Sequence, residues 1–176
     1  MRVVLDTNVL LQVIGNVKPG SVLHDPRDSR PIDRAIDRAE ALVEKIDSAK
    51  GSVLIPAPVL AEVLIGLTPI QSAELIENIR QLSCFEMVSF DELAAIECAG
   101  MITPQELKAA LADPSVTKAK FRFDRQILAI ALANNVNEIW THDKQLFEKA
   151  ASLGMTVRSL GDIEPNPEQL EADLQY

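Results

Sequence analysis

Apolar residues in this chain fall into two patterns that alternate along its length. Short segments that contain apolar residues predict strands at residues 2–6, 52–55, 85–90, 138–141 and 155–160, and the first of them holds an unbroken apolar run, Val3 to Leu5, as expected of a strand buried on both faces. Longer stretches with helical spacing, or apolar on nearly every face, predict helices at residues 8–14, 32–46, 59–66, 70–82, 91–100, 127–133 and 144–150. Strands that alternate with helices pair mostly in parallel, so the chain is predicted to be an α/β protein with a mostly parallel five-stranded sheet.

Capping and breaking residues mark the boundaries between these elements. Thr68 and Thr103 each open a capping box, and the second predicts a short helix that ends before Pro114. Residues 15–31 have no apolar period and contain glycine, proline and serine, which predicts a long loop. Three side chains of this loop could either contact a substrate or lie in solvent: His24, Arg27 and Arg30.

Composition is that of a single globular domain. The 176 residues are enough for one sizeable core, and no apolar run approaches the length of a membrane span. The amino terminus lacks the basic-then-apolar pattern of a signal peptide. Cys84 and Cys98 are too few for a disulfide framework and predict buried, reduced thiols. We therefore expect a cytoplasmic protein without membrane contact.

Charge is unevenly distributed along the chain. The net charge of −9 argues against an unaided nucleic-acid-binding surface. No basic residue follows Arg158 and five acidic residues follow position 161, so residues 1–161 carry only −4. A few carboxylates bound to divalent metal would cancel that charge. The predicted organisation is a domain at residues 1–160 and an acidic, solvated tail at residues 161–176.

Four carboxylates occupy positions that a parallel sheet would bring to one edge. Asp6 and Asp143 directly follow predicted strands, and Asp124 lies on the first turn of a predicted helix. Glu62 is the one charged residue of an otherwise apolar helix, where a lone buried carboxylate is costly unless paired, protonated or metal-bound. Open α/β sheets bind ligands at the edge formed by the carboxyl ends of their strands. Taken singly, the aspartates could cap helices and Glu62 could pair with an arginine.

Carboxylates gathered at one edge would raise one another's pKa values unless a cation lay among them. Oxygen ligands without cysteine or a clear histidine favour Mg²⁺ or Mn²⁺ over Zn²⁺. Asn8 and Thr141 add neutral oxygen atoms that could orient a carboxylate or a water. The sequence therefore predicts a site for a hard divalent cation.

The densest basic cluster lies at residues 117–125, where aromatic and basic side chains interleave. Its members are Lys118, Lys120, Arg122 and Arg125, with Phe121 and Phe123 between them. Such a segment suits a phosphate backbone and a stacked base, which makes the four basic residues candidate RNA contacts. Alternatively it is a connector whose phenylalanines enter the core while its basic groups stay in solvent.

Four short motifs, taken in order, resemble the PIN-domain family of metal-dependent nucleases. They are Val-Leu-Asp-Thr-Asn-Val-Leu-Leu at 4–11, Pro-Val-Leu-Ala-Glu-Val at 58–63, Asp124 followed by Ile-Leu-Ala-Ile-Ala at 127–131, and Thr-His-Asp-Lys-Gln-Leu-Phe at 141–147. Each motif is short, but their joint order and spacing are more specific. The resemblance spans residues 1 to about 160.

The resemblance implies a three-layer α/β/α sandwich and a ribonuclease that hydrolyses RNA phosphodiester bonds with one or two Mg²⁺ or Mn²⁺ ions. With support from Asn8 and Thr141, its catalytic metal ligands would be Asp6, Glu62, Asp124 and Asp143. Many small family members are toxins of toxin–antitoxin pairs, often dimeric and inhibited by a partner. An antitoxin-like partner and a homodimer are therefore expected here, although this chain is longer than the compact toxins.

Other functions account for parts of the pattern. A PIN-like module that binds RNA or protein without cleavage would not need all four carboxylates together. A phosphotransferase or phosphatase with an aspartyl nucleophile is disfavoured because no second aspartate follows Asp6 by two residues. A dinucleotide-binding enzyme would need a Gly-x-Gly-x-x-Gly sequence after the first strand, which this chain lacks. His142 is predicted to be a surface residue rather than a general base or ligand.

Overall fold

The computed structural model describes residues 1–105, 108 and 118–165, and the side chains of all of these except 118–122. Five parallel strands form one sheet in the order β3-β2-β1-β4-β5. They are β1 (Arg2–Leu5), β2 (Ser52–Pro56), β3 (Phe85–Val88), β4 (Glu138–Trp140) and β5 (Thr156–Arg158). Val4 of the central strand pairs with Leu54 of β2 and Ile139 of β4. The predicted five-stranded parallel sheet is confirmed.

Helices connect the strands throughout. They are α1 (Thr7–Val13), α2 (Ala35–Ser48), α3 (Ala57–Leu64), α4 (Pro69–Gln81), α5 (Glu92–Gly100), α6 (Lys118–Ala133), α7 (Lys144–Ser152) and a 3₁₀ helix at Leu160–Asp162. The connections β1-α2-β2 and β4-α7-β5 run in opposite directions along the sheet. Because such crossovers are right-handed, α2 and α7 lie on opposite faces of the sheet, as the predicted three-layer sandwich requires. The Thr68 capping box also forms as predicted.

Strand order reverses at β1, which makes the junction of β1 and β4 the topological switch point of the sheet. The carboxyl ends of the two strands meet there, and the Asp6 N–H donates to the Trp140 carbonyl at 3.0 Å. Val3, Val4 and Leu5 are fully buried beneath this point. Open α/β sheets bind ligands at such a junction, so the fold places the carboxylate after β1 where a ligand would lie.

Two helices differ from their predictions. Helix α6 begins at Lys118, earlier than predicted, and no glycine or proline interrupts residues 118–133. Asp124 consequently lies in the second turn of α6 and not in its first. Helix α3 is not buried on every face, since Ala57 and Ala61 are exposed. An alanine side chain is tolerated both in water and in a core, so the apolar pattern alone could not tell exposed positions of α3 from buried ones.

The segment after β5 and the two cysteines were also subjects of sequence predictions. Residues 161–164, assigned from sequence to the tail, pack on the domain: Arg38 donates to the Ile163 carbonyl and pairs with Glu164 at 3.6 Å. Residues 166–176 and most of the helix predicted after Thr103 lie outside the described residues. Cys84 is buried and Cys98 half-buried, both as free thiols. None of the described helices is long and apolar enough to cross a bilayer.

Candidate active site

Asp6 ends β1 at the switch point and is only 5% exposed. Its Oδ1 accepts a hydrogen bond from the Thr7 N–H at 2.6 Å, and its Oδ2 accepts one from the Thr141 hydroxyl at 2.8 Å. A helix-capping side chain normally accepts from the second or third residue of the helix, and Asp6 bonds the first. The simple capping explanation of Asp6 therefore does not describe its contacts.

Electrostatics link Asp6 to two other predicted site residues. Burial raises the pKa of Asp6 from 3.8 to about 6, and the charges of Asp143 and Glu62 act in the same direction. The hydrogen bonds from Thr141 and Thr7 oppose this rise. Two carboxylates from remote parts of the sequence thus act on Asp6, and a cation beside it would favour its charged form.

Thr141 joins Asp6 to the segment that carries Asp143. Its side chain is fully buried, and its hydroxyl both donates to Asp6 and accepts from the Asp143 N–H at 3.0 Å. One hydroxyl therefore fixes the carboxylate after β1 relative to the backbone after β4. This contact gives a physical basis for the supporting role predicted for Thr141.

Asp143 caps helix α7. Its Oδ1 accepts hydrogen bonds from the backbone N–H groups of Gln145 at 2.8 Å and Leu146 at 3.1 Å, which are the second and third residues of the helix. The capping interpretation thus applies to Asp143 better than to Asp6. Both of these bonds use the same carboxylate oxygen.

Glu62 approaches the site from α3, where it is half-buried. The Thr7 hydroxyl donates a short hydrogen bond to Glu62 Oε2. In the described residues no arginine pairs with Glu62, so the predicted alternative of a salt bridge is not observed. Thr7 is the site residue that sequence reasoning missed; its place between Asp6 and Asn8, at the first position of a helix on the sheet edge, was the available signal.

The remaining predicted residues are less closely connected to this centre. Asp124 is half-buried on α6, which packs against the helix that carries Glu62. Asn8 is half-buried in the first turn of α1. Arg125 is only 4% exposed, which counts against its predicted contact with RNA because an RNA strand could not reach its guanidinium. The side chains of Lys118, Lys120 and Arg122 lie outside the description.

Donor chemistry suits Mg²⁺ or Mn²⁺, but a closed ligand shell is not formed. Among the described residues, no three Asp, Glu, His or Cys side chains are grouped as a ready-made metal site. Mg²⁺ keeps several of its waters and takes one or two carboxylates rather than an all-protein cage. The pKa of Asp6 is raised, and a cation beside it would stabilise the charged form of this carboxylate. The residues therefore fit a hydrated divalent ion by charge and donor type.

His142 is held by the backbone on both sides of its ring. Its Nδ1 lies 2.9 Å from the His24 carbonyl oxygen, and the Leu160 N–H lies 3.2 Å from its Nε2. Burial lowers the pKa of His142. Both ring nitrogens are engaged by backbone groups, and His142 is half-buried, so the predicted surface position is wrong.

Basic side chains of the predicted long loop are paired within the protein. Arg27 bonds Asp25 and Asp162, and Arg30 pairs with Asp28 at 2.6 Å. The loop is therefore attached to the domain by Arg27, although the side chain of Arg27 is 44% exposed, as the solvated interpretation expects.

Comparisons with known proteins identify a family model and similar solved structures. A model of the PIN domain family matches residues 29–153. No curated protein is a significant match by sequence. Among solved structures, VapBC2 from Rickettsia felis bound to a promoter DNA fragment aligns with a TM-score of 0.55 and 16% identity, over 90% of this chain and 98% of that one. VapBC-1 from nontypeable Haemophilus influenzae gives 0.54 and 14%, over 92% and 99%. DNA-bound VapBC from Salmonella typhimurium gives 0.53 and 18%, over 91% and 98%.

Proposed function

The chain belongs to the PIN domain family, and we propose that it is a divalent-metal-dependent ribonuclease that hydrolyses RNA phosphodiester bonds. The observation that carries the proposal is the buried Asp6 at the switch point, with its pKa raised to about 6 beside the charges of Asp143 and Glu62. The fold gains no stability from a buried carboxylate of this kind. Strongly perturbed acidic groups in such positions are typical of functional sites.

In this proposal Mg²⁺ or Mn²⁺ would be held by Asp6, Glu62, Asp124 and Asp143, with Asn8 and Thr141 in support. When bound, the cation supplies Lewis acidity toward the phosphate and a water that is nucleophilic at neutral pH. The protein's own part is positioning. Thr7 orients Glu62, and Thr141 holds the Asp6 carboxylate against the backbone of Asp143.

RNA binding is assigned to the start of α6. Lys118, Lys120 and Arg122 lie in the first turns of the helix that carries Asp124, so a strand bound there would pass close to the site. Positive charge at this position would offset the acidity of the pocket and attract phosphates. Arg125 is left out of the proposed contacts because it is buried.

We further propose that the protein acts as the toxin of a toxin–antitoxin pair, with an antitoxin-like protein partner and a homodimer as its assemblies. Support comes from the fold shared with the VapBC structures and from apolar side chains left in water. Leu93 and Ile96 of α5 are 60% and 68% exposed, and Ile65 and Ile70 beside α3 and α4 are 78% and 73% exposed. Exposed apolar side chains of this size are typical of interaction surfaces.

A second candidate is a PIN-like module that binds RNA or protein without cutting it. The observation in its favour is that, over the described residues, no three potential ligands form a metal site. Such a module would bind RNA equally well with and without divalent ions.

The test uses labelled single-stranded RNA with Mn²⁺, Mg²⁺ or EDTA. We expect metal-dependent cleavage that Asp6→Asn lowers by about 100-fold or more. Asp91→Asn is the matched control, because Asp91 also lies between a strand and a helix but caps α5, away from the switch point. It should cleave like the wild type. RNA binding without cleavage in every condition would establish the binding module and overturn the nuclease.

A further inference from the structure

We propose that residues 23–32 form a positioning loop for the active site, and that His142 and Arg27 are the positioning residues that connect this loop to Asp143. The inference rests on the proposed function, because its consequence is the placement of a proposed metal ligand. Neither residue bonds the proposed metal ligand Asp143 through its side chain. Their effect passes through the backbone turn at residues 141–143.

His142 provides the first link. A backbone N–H can only donate, so the Leu160 N–H at 3.2 Å fixes Nε2 as an acceptor. Nδ1 then carries the proton and donates to the His24 carbonyl at 2.9 Å. One neutral tautomer satisfies both contacts. The residue next to Asp143 is therefore held between the long loop and the segment after β5.

The loop is internally ordered, so the His24 carbonyl has a defined place. The Ile32 N–H donates to the Leu23 carbonyl and the Asp25 N–H to the Arg30 carbonyl, both at 2.8 Å. His24 also forms an antiparallel bridge with Pro31. These bonds make residues 23–32 a compact hairpin-like unit.

Arg27 attaches this unit to the domain. Its Nε and Nη2 bond the two oxygens of Asp25 at 2.8 and 2.6 Å, and its Nη1 bonds Asp162 at 2.8 Å. The fully buried Ser159 hydroxyl donates to Asp25 Oδ2 at 2.6 Å. Planar bidentate pairing of this kind fixes geometry as well as charge. Without Arg27, the loop would lose its main polar attachment to the segment after β5.

The turn at residues 141–143 is also held from the side of the sheet, through Thr141. The Thr141 N–H donates to the Arg158 carbonyl at 2.9 Å, and the Asp143 N–H donates to the Thr141 hydroxyl. Asp143 therefore has its position set from the sheet on one side and from the loop on the other. Loosening the loop side should displace the carboxylate while leaving the sheet intact.

The experiment compares Arg27→Ala with Arg38→Ala as a matched control. Arg38 also links an early segment to residues after β5, through Ile163 and Glu164, and it bonds Asp33, which follows the loop, but it bonds neither residues 23–32 nor His142. Hydrogen exchange is measured at the amides of Asp143, Gln145 and Leu146. We expect Arg27→Ala to raise exchange there by about 10-fold or more and Arg38→Ala to leave it unchanged.

Activity gives a second measurement on the same proteins. Arg27→Ala and His142→Ala should lower kcat by about 10-fold or more while KM changes by less than about 2-fold, because positioning acts on the reaction and not on RNA affinity. His142→Asn keeps a donor near Nδ1 and should recover part of the loss, and Arg38→Ala should cleave like the wild type.

Two results would overturn the inference. One is equal exchange at Asp143 in the Arg27→Ala and Arg38→Ala proteins, and the other is equal kcat in both. If the wild type cleaves no RNA, the proposed function fails on its own, and the exchange comparison still decides whether the loop positions Asp143. Circular dichroism of each variant establishes that it is folded before either comparison is made.

Discussion

Replacement of Asp6 by asparagine should stabilise the metal-free protein at alkaline pH while it abolishes cleavage. The pKa of Asp6 is about 6 in the folded protein and about 3.8 when exposed, so the folded state binds the proton more tightly. Stability is therefore lost as the pH rises from about 4 to about 6 and stays lower above that range. A shift of about 2 units corresponds to roughly 3 kcal/mol of unfolding free energy.

Asparagine removes this penalty but not without cost. Its amide oxygen can accept from Thr7 or from Thr141 but not from both, and the lost hydrogen bond costs about 1–2 kcal/mol. The net expectation is a gain of about 1–2 kcal/mol at pH 8 and a loss of up to about 1 kcal/mol near pH 4.5, where about 1 kcal/mol of the ionisation penalty is already present. A change of sign across this range identifies a carboxylate kept for function, because a helix cap would not be improved by neutralisation.

Urea unfolding in EDTA at both pH values measures the effect, with Asp91→Asn as the control. Asp91 caps α5 through the Ala94 N–H at 2.9 Å, and asparagine caps a helix about as well as aspartate. The control should change little at either pH. The reasoning fails if Asp6→Asn destabilises the protein equally at pH 8 and pH 4.5.

Three further changes test separate parts of the structure. Thr141→Val removes the buried hydroxyl between Asp6 and Asp143, so urea unfolding should show a loss of about 1–3 kcal/mol and cleavage should fall about 10-fold or more, whereas Thr141→Ser should keep most of both. Gly161→Ala places a Cβ 3.0 Å from Asp25 Oδ2, so thermal unfolding should reveal a loss of about 1–3 kcal/mol, and an unchanged Tm would show that the loop yields freely. The triple change of Lys118, Lys120 and Arg122 to alanine should reduce the slope of log affinity against log salt for single-stranded RNA by about 2, and an unchanged slope would leave these residues out of the RNA contact.

Local patterns were sufficient to predict the sheet and the edge where the site lies. Val3, Val4 and Leu5 form an apolar run that is typical of a strand buried on both faces, and such strands usually pair in parallel. Parallel pairing brings every strand's carboxyl end to one edge, so the residue that follows each strand could be placed without coordinates. This rule places Asp6 and Asp143 at the same edge, and the pairing of β1 with β4 makes them neighbours there.

Contacts between distant residues were not predictable in the same way. Arg125 stands among basic residues in sequence, yet a helix that begins earlier than expected makes it 4% exposed. Arg27 is exposed, as expected of a loop residue, but its bond to Asp162 could not be predicted because the two residues lie 135 positions apart. Thr7 was overlooked for the same reason, since its bond to Glu62 joins two helices that the sequence does not relate. Each error concerns a side chain whose environment is set by tertiary packing.

Three aspartates of this chain show how the fold separates residues that the sequence leaves alike. Asp6, Asp91 and Asp143 each lie between a strand and a helix, and each could cap that helix. Asp91 and Asp143 do so through the second or third helical N–H, whereas Asp6 bonds the first and is drawn instead toward Thr141. Asp91 follows the edge strand β3, while the other two follow the strands on either side of the switch point. Strand order therefore determines which of these equivalent carboxylates meet, and a functional site follows from their meeting and not from the capping motif they share.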